Sequence, residues 1–247
     1  MKLLENVALV ASGRSGFDWT HPSDCNVYLL DGGGEFALVD AGTGESAAHI
    51  LKETSSLGAR HGRIRYIFLT HLHADHSGGA AALREATGAQ VAVHAEGAGV
   101  LSAGDEKAIS LDRARDAGFY PPEYRFRACP ADVLLRDGNE FRVGSLSVRV
   151  MLAPGHSRFD TYYFVRGGDG HVSLFTGDAL FPGGRISMIC TPDCSFQNLA
   201  AAFERLDREK FDSLFAGHLQ PALSNGRNHL AAALQYFRSL RVPPSIV

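Results

Sequence analysis

The sequence predicts an α/β fold, and three observations carry that expectation. Short apolar runs rich in Val, Ile, Leu, Phe and Tyr recur along the chain. Amphipathic stretches separate several of them, and Gly, Asp and Asn clusters mark the boundaries. With 247 residues, 45% of them hydrophobic, the chain is long enough to bury a large core and is read as one domain over residues 1–247.

In order, residues 1–10 are interrupted by Glu5 and Asn6 and lack a sustained apolar stretch, which makes a poor signal peptide. No run approaches the ~20 apolar residues that span a bilayer, so the chain is placed in the cytoplasm with no membrane partner. Residues 26–30 and 36–40 are β-rich runs around Asp31-Gly32-Gly33-Gly34 and predict a hairpin. A helix is expected over 45–57, a buried strand over 64–69, a helix over 76–86 stopped by Gly88, and a strand over 90–94 that ends at His94. His94 is read as structural.

Residues 97–128 are looser, helical up to Gly118 and then broken by Pro121-Pro122. Strands are expected over 133–141, with Asp137-Gly138-Asn139 as a turn, and over 146–152, where Val and Arg alternate. Further strands follow at 158–165 and 172–176, then a helix at 198–206, a strand at 211–215 and a terminal helix at 228–240.

The formal net charge of -3 and an isoelectric point near 6.4 give no electrostatic footprint for nucleic acid. Cys25, Cys129, Cys190 and Cys194 are scattered through a chain too long to need a disulfide framework, so reduced thiols are expected. Cys190-Thr191-Pro192-Asp193-Cys194 lacks the Cys-x-x-Cys spacing of a metal or redox site.

The most informative stretch is Thr70-His71-Leu72-His73-Ala74-Asp75-His76-Ser77-Gly78-Gly79. His71 and His73 are two residues apart, so in an extended segment they project to one side and can grip one ion. Asp75 and His76 follow where the chain turns into a helix, which points them at a second position nearby. Imidazole and carboxylate suit zinc and its first-row neighbours.

His-x-His-x-Asp-His after an apolar strand resembles the signature of the metallo-β-lactamase superfamily. Downstream, Ala153-Pro154-Gly155-His156-Ser157, Phe175-Thr176-Gly177-Asp178 and Phe215-Ala216-Gly217-His218 are similar to that family's later segments, in the same order. The resemblance implies a four-layer αβ/βα sandwich with metals at the edge between two sheets. It implies His71, His73 and His156 on one metal, Asp75, His76 and His218 on a second, and Asp178 bridging. Two divalent ions are expected, zinc first, with iron or manganese also compatible. Asp75 is the candidate catalytic residue, orienting a water-derived nucleophile or carrying its proton. Asp40, at a strand end, is a candidate to support a ligand loop or histidine; Tyr163, Tyr120 and Arg125 are candidates for support or substrate contact. Insertions such as 97–128 lie near the active-site mouth in related enzymes, which makes this one a candidate lid.

An aspartate at 178 resembles the thioesterases of the glyoxalase II kind and lactonases rather than true β-lactamases, which disfavours antibiotic hydrolysis. The expectation is hydrolysis of a thioester or ester of a small molecule, hydroxyacylglutathione hydrolase-like. Lactone opening is the first alternative, and a non-hydrolytic member such as an iron-dependent sulfur dioxygenase the second. Ser157-Arg158-Phe159-Asp160 replaces the Thr-x-Gly-His usual in the glyoxalase II branch, and no basic residues follow His218 directly, which weakens a glutathione-specific reading. The oligomeric state is left open, a homodimer included.

Overall fold

Two apolar strands open the chain, β1 (Lys2–Leu4) and β2 (Val7–Ala11). The computed structural model describes residues 1–189 and 191–247; Cys190, and with it the reading of the Cys190-to-Cys194 motif, lies outside the described residues. The sequence reading had no strand in this region. Val7–Ala11 is buried at every position, and a strand covered on both faces shows no alternation to read.

The expected hairpin follows as β3 (Val27–Asp31) and β4 (Phe36–Val39), paired antiparallel from Tyr28–Val39 to Asp31–Phe36. Gly33 and Gly34 take the positive φ values the turn demands. Next come α1 (Ala47–Ser56), β5 (Ile64–Phe68), α2 (Ala74–Ser77), α3 (Ala80–Thr87) and β6 (Gln90–His94). The helix expected over 76–86 is thus split at Gly78-Gly79. A Cβ on Gly78 would stand 2.5 Å from the Thr43 carbonyl oxygen, and one on Gly79 2.1 Å from that of Ala41. Close approach of another backbone has overridden helical periodicity here.

The 97–128 segment holds two short helices, α4 (Ala98–Ala103) and α5 (Leu111–Asp116), rather than helix up to Gly118. Gly104 ends α4 in the left-handed conformation. Then come β7 (Val133–Leu135), β8 (Glu140–Val143), β9 (Leu146–Leu152), β10 (Thr161–Arg166), β11 (Val172–Gly177), α6 (Phe196–Leu206), β12 (Ser213–Ala216) and α7 (Gly226–Arg238).

Strands β1 to β7 form one sheet in sequence order, antiparallel as far as β4 and parallel from β4 to β7; β12-β11-β10-β9-β8 form the other. The turn at Asp137-Gly138-Asn139 therefore carries the chain from one sheet to the other instead of closing a hairpin. Side-chain alternation then builds four layers. In β3, Tyr28 and Leu30 enter a core between the sheets, while Val27 and Leu29 face a second core beneath α1 and α3. In β10, Tyr163 and Val165 join the central core, and Tyr162 and Phe164 pack with α6 and α7. The result is an αβ/βα sandwich, as expected. Among the described residues no helix is long and apolar enough to cross a membrane.

Candidate metal centre

The segment from Leu69 to His76 is held from both sheets. Leu69 N–H donates to Ala92 O in β6 at 3.0 Å, its own carbonyl accepts from the Tyr163 hydroxyl at 2.5 Å, and Thr70 O accepts from Thr161 N–H in β10 at 2.7 Å. His71 and His73 alternate beyond this clamp with ring centroids 4.6 Å apart. His73 sits at the N-terminal boundary of α2 with extended ψ, so the chain turns between it and Asp75-His76.

His156 lies in the tight connection between β9 and β10. Asp160 folds that turn: its carboxylate accepts from Ser157 N–H at 2.9 Å and from the Ser157 hydroxyl at 2.5 Å. Burial pushes the Asp160 carboxyl up to about 6. Asp178 follows β11 directly. His218 follows β12 through Gly217, where a Cβ would stand 2.4 Å from both Asp178 Oδ1 and His76 Cε1; only glycine allows the chain this close.

Two groups result. His71, His73 and His156 each offer a nitrogen within 4.8 Å of the others, and Asp75, His76, Asp178 and His218 do the same. Asp178 stands between them, with Oδ2 3.4 Å from His218 Nε2 and 3.9 Å from His156 Nε2, and Oδ1 3.2 Å from His76 Nε2. Asp75 Oδ2 lies 3.1 Å from His218 Nε2 and 3.4 Å from His76 Nε2.

Several imidazoles are gripped by one nitrogen, leaving the other for the cluster. His76 Nδ1 meets Asp40 Oδ2 at 2.8 Å, His156 Nδ1 meets Ser187 O at 2.9 Å, and His71 Nδ1 meets the Thr70 hydroxyl at 3.1 Å. The Nε2 atoms of His71, His73 and His76, and Asp178 Oδ1, are buried with no hydrogen-bond partner. Orphaned polar atoms of this kind, converging from the 70–76 segment and the end of β11, fit a divalent cation better than a neutral polar core, where each would need its own partner.

Charge separates the groups. Burial, reinforced by its imidazole neighbours, holds His71 well below the ordinary imidazole value. Burial and the neighbouring His156 bring His73 down to about 4. Both are therefore neutral, with lone pairs free. Burial works against charge on Asp75 and Asp178 too, yet His76 and His218 hold both well below the usual carboxylate range. Burial likewise opposes protonation of His218, but Asp178 and Asp75 raise it to about 9.

The other candidates fall in different places. Asp40 Oδ1 accepts from Thr70 N–H at 2.8 Å while Oδ2 meets His76, so it ties strand end to site and does not cap a turn before α1. Tyr163 is fully buried and supports the Leu69 carbonyl. Arg125 is exposed and bonds the Pro122 and Tyr124 carbonyls of its own loop, which places it away from the cluster's bonding network. Tyr120 is buried, and its hydroxyl donates to Asp75 Oδ1 at 3.2 Å. His94 is buried and its Nδ1 accepts from Glu96 N–H at 3.2 Å.

Sequence reading missed Asn26. Its side chain donates to Ala216 O and Leu219 O and its N–H to Gly217 O, bracketing His218. Cys25, Asp40 and His76 form a third close group; burial pushes the Cys25 thiol up to about 12, so it stays protonated and behind the site. The only signal for these residues was a run of small polar groups, Ser23-Asp24-Cys25-Asn26, abutting an apolar strand.

A family model described as metallo-beta-lactamase superfamily matches residues 21–218. The chain belongs to the metallo-beta-lactamase superfamily. It is 36% identical over 162 residues to a hydroxyacylglutathione hydrolase of Anaeromyxobacter dehalogenans, covering 65% of this chain and 48% of that protein; the chain thus spans about half the length of that relative. It is 30% identical over 209 residues to an acyl-coenzyme A thioesterase, MBLAC2, of Gallus gallus, covering 78% of this chain and 72% of that protein. The crystal structure of BJP-1, a subclass B3 metallo-beta-lactamase of Bradyrhizobium japonicum, aligns with a TM-score of 0.72 at 20% identity, over 97% of this chain and 91% of the other. At that identity the likeness shows the superfamily fold alone.

Proposed function

We propose that this chain is a dinuclear metallohydrolase of thioesters. The observation that carries the reading is the position of Asp178, whose carboxylate reaches toward both the three-histidine group and the Asp75, His76 and His218 group. His71, His73 and His156 would hold one divalent ion, Asp75, His76 and His218 the other, and Asp178 both; zinc suits this donor set. Bound ions supply Lewis acidity, which generates a nucleophile from water near neutral pH and stabilises negative charge on oxygen.

The protein's own groups do the rest. Asp40, Thr70 and Ser187 hold three imidazoles in one orientation each, so the donors are set before substrate arrives. Asp75, its Oδ1 held by Tyr120 and its Oδ2 turned to the cluster, would orient a water at the site. No serine or cysteine nucleophile is required, and the protonated, buried Cys25 offers none. The thioester class is supported by the two relatives, one named for a hydroxyacylglutathione substrate and one for acyl-coenzyme A; a small-molecule thioester is common to both.

The test is metal analysis followed, on the same sample, by hydrolysis of S-lactoylglutathione, a medium-chain acyl-coenzyme A, a homoserine lactone and a chromogenic cephalosporin. About two zinc ions per chain with thioester turnover is the expected result. One iron per chain, no hydrolysis, and oxygen uptake with a persulfide would overturn it in favour of a dioxygenase.

A further inference from the structure

We propose that Tyr120 is a positioning residue for Asp75, and that through it the 97–128 segment sets how tightly the neighbouring cation is held; this rests on the two-ion reading above. The two oxygens of Asp75 have different surroundings. Oδ2 faces the cluster, at 3.1 Å from His218 Nε2 and 3.4 Å from His76 Nε2. Oδ1 turns the other way and accepts from the Tyr120 hydroxyl at 3.2 Å. A carboxylate on the short helix α2 is otherwise free to rotate about its terminal bond, a broad and soft torsion. The phenol on one oxygen commits the other to the site.

The donor itself is rigid. The Tyr120 ring stacks on Tyr124 with centroids 4.9 Å apart and an interplanar angle of 25°. The Tyr124 hydroxyl donates to Thr43 O at 2.7 Å, at the place where Gly78 leaves no room for a side chain. The segment carrying both tyrosines is braced internally: Phe126 N–H donates to Glu106 Oε1 at 2.8 Å, Glu106 pairs with Arg115, and Cys129 N–H bonds Leu101 O at 3.1 Å. It is tied to the opposite loop by the Ser23 hydroxyl on Phe119 O at 3.2 Å. The insertion therefore ends in a fixed hydroxyl aimed at one candidate ligand. Groups that orient a metal ligand typically alter affinity by about 10–100-fold when removed.

A tyrosine that merely fills space would give a different result, which makes the two tyrosines a matched pair. Tyr120→Phe and Tyr124→Phe each remove one hydroxyl from the same stack, but only the first touches Asp75. Zinc stoichiometry and affinity are read by competition with a chromogenic chelator on the full chain, alongside thermal melting. The expected result is that Tyr120→Phe weakens one of two zinc ions about tenfold or more while the other is unchanged, and that Tyr124→Phe shifts melting alone. Two ions bound by Tyr120→Phe as tightly as by the parent overturns the role of Tyr120 and leaves the two-ion reading standing. A parent that takes up one ion overturns the two-ion reading, and Tyr120→Phe then decides the positioning role on that ion. An independent check is the Asp75→Ala background, which leaves the Tyr120 hydroxyl no acceptor at position 75 and where Tyr120→Phe should cost the remaining ion no further affinity; an additive loss means that Tyr120 acts elsewhere and sinks the proposal.

Discussion

Asp40 illustrates how much of the site depends on single residues. It adopts φ of 63°, a left-handed conformation that non-glycine residues visit at a cost of roughly 1–2 kcal/mol. In return its carboxylate reaches Thr70 N–H, the Thr70 hydroxyl and His76 Nδ1 together. Asn tolerates the same backbone conformation, so Asp40→Asn removes the charge and one of the two acceptor oxygens without disturbing the turn. It should leave the fold in place but weaken binding of an added divalent ion about 10–100-fold, because the His76 ring loses the acceptor that fixes its tautomer. Chelator competition measures this, and an unchanged affinity would show that Asp40 supports only the strand end.

At the scale of elements, the parallel strands of the first sheet are stitched by side chains where the ladders are short. Asp132, just before β7, accepts two bonds from the Arg84 guanidinium of α3 at 2.8 Å each, and one from Val91 N–H of β6 at 3.0 Å. The Arg84 bond holds the Asp132 carboxyl below its ordinary value. A carboxyl whose folded pKa is depressed adds stability above the unfolded value, about 4, and loses it as pH falls through the folded value. The pair is partly wet, so the expected effect is small, about 1 kcal/mol. Asp132→Asn should therefore be less stable than the parent in urea at pH 7, and the difference should shrink below about pH 4. A difference that is constant with pH would assign the effect to packing instead of charge.

At the scale of the whole molecule, the two sheets meet through aromatic rings that lead straight into the site. Tyr28, Phe175 and Phe215 pack together with centroids 4.8 to 5.4 Å apart, and the Tyr28 hydroxyl bonds Ala216 O at 2.7 Å. Phe175 precedes Asp178 by three residues, and Phe215 precedes His218 by the same interval. Packing and the geometry of the candidate metal centre are therefore coupled. Phe175→Ala should cost about 3–5 kcal/mol, the range for a buried phenylalanine, and should loosen zinc as well. Because an ion that binds only the folded state raises its stability, a chelator should lower the parent's melting temperature by more than the variant's. An equal shift in both would separate the core from the site.

The hairpin of β3 and β4, the strand before His71, and the order of the histidine and aspartate segments were all readable from the chain. Each is a local pattern: alternation, a turn chemistry, or a spacing of two that sends imidazoles to one side. The opening strands were not, because β1 is three residues long and β2, buried on both faces, has no polar period, and neither was the break at Gly78-Gly79, where other backbone carbonyls crowd the chain. Motif order and local patterning were enough for the superfamily, the layered α/β class and the set of side chains that could converge. How they are held is visible in the folded chain alone: Asp40 on His76 from 36 residues away, Tyr120 on Asp75 from 45, Asn26 beside His218 through a carbonyl 190 residues distant. The reason is physical. Periodicity encodes which face of an element is buried, but the partner of a buried polar atom is whatever the packed layers bring within 3 Å, and that is a property of the whole fold.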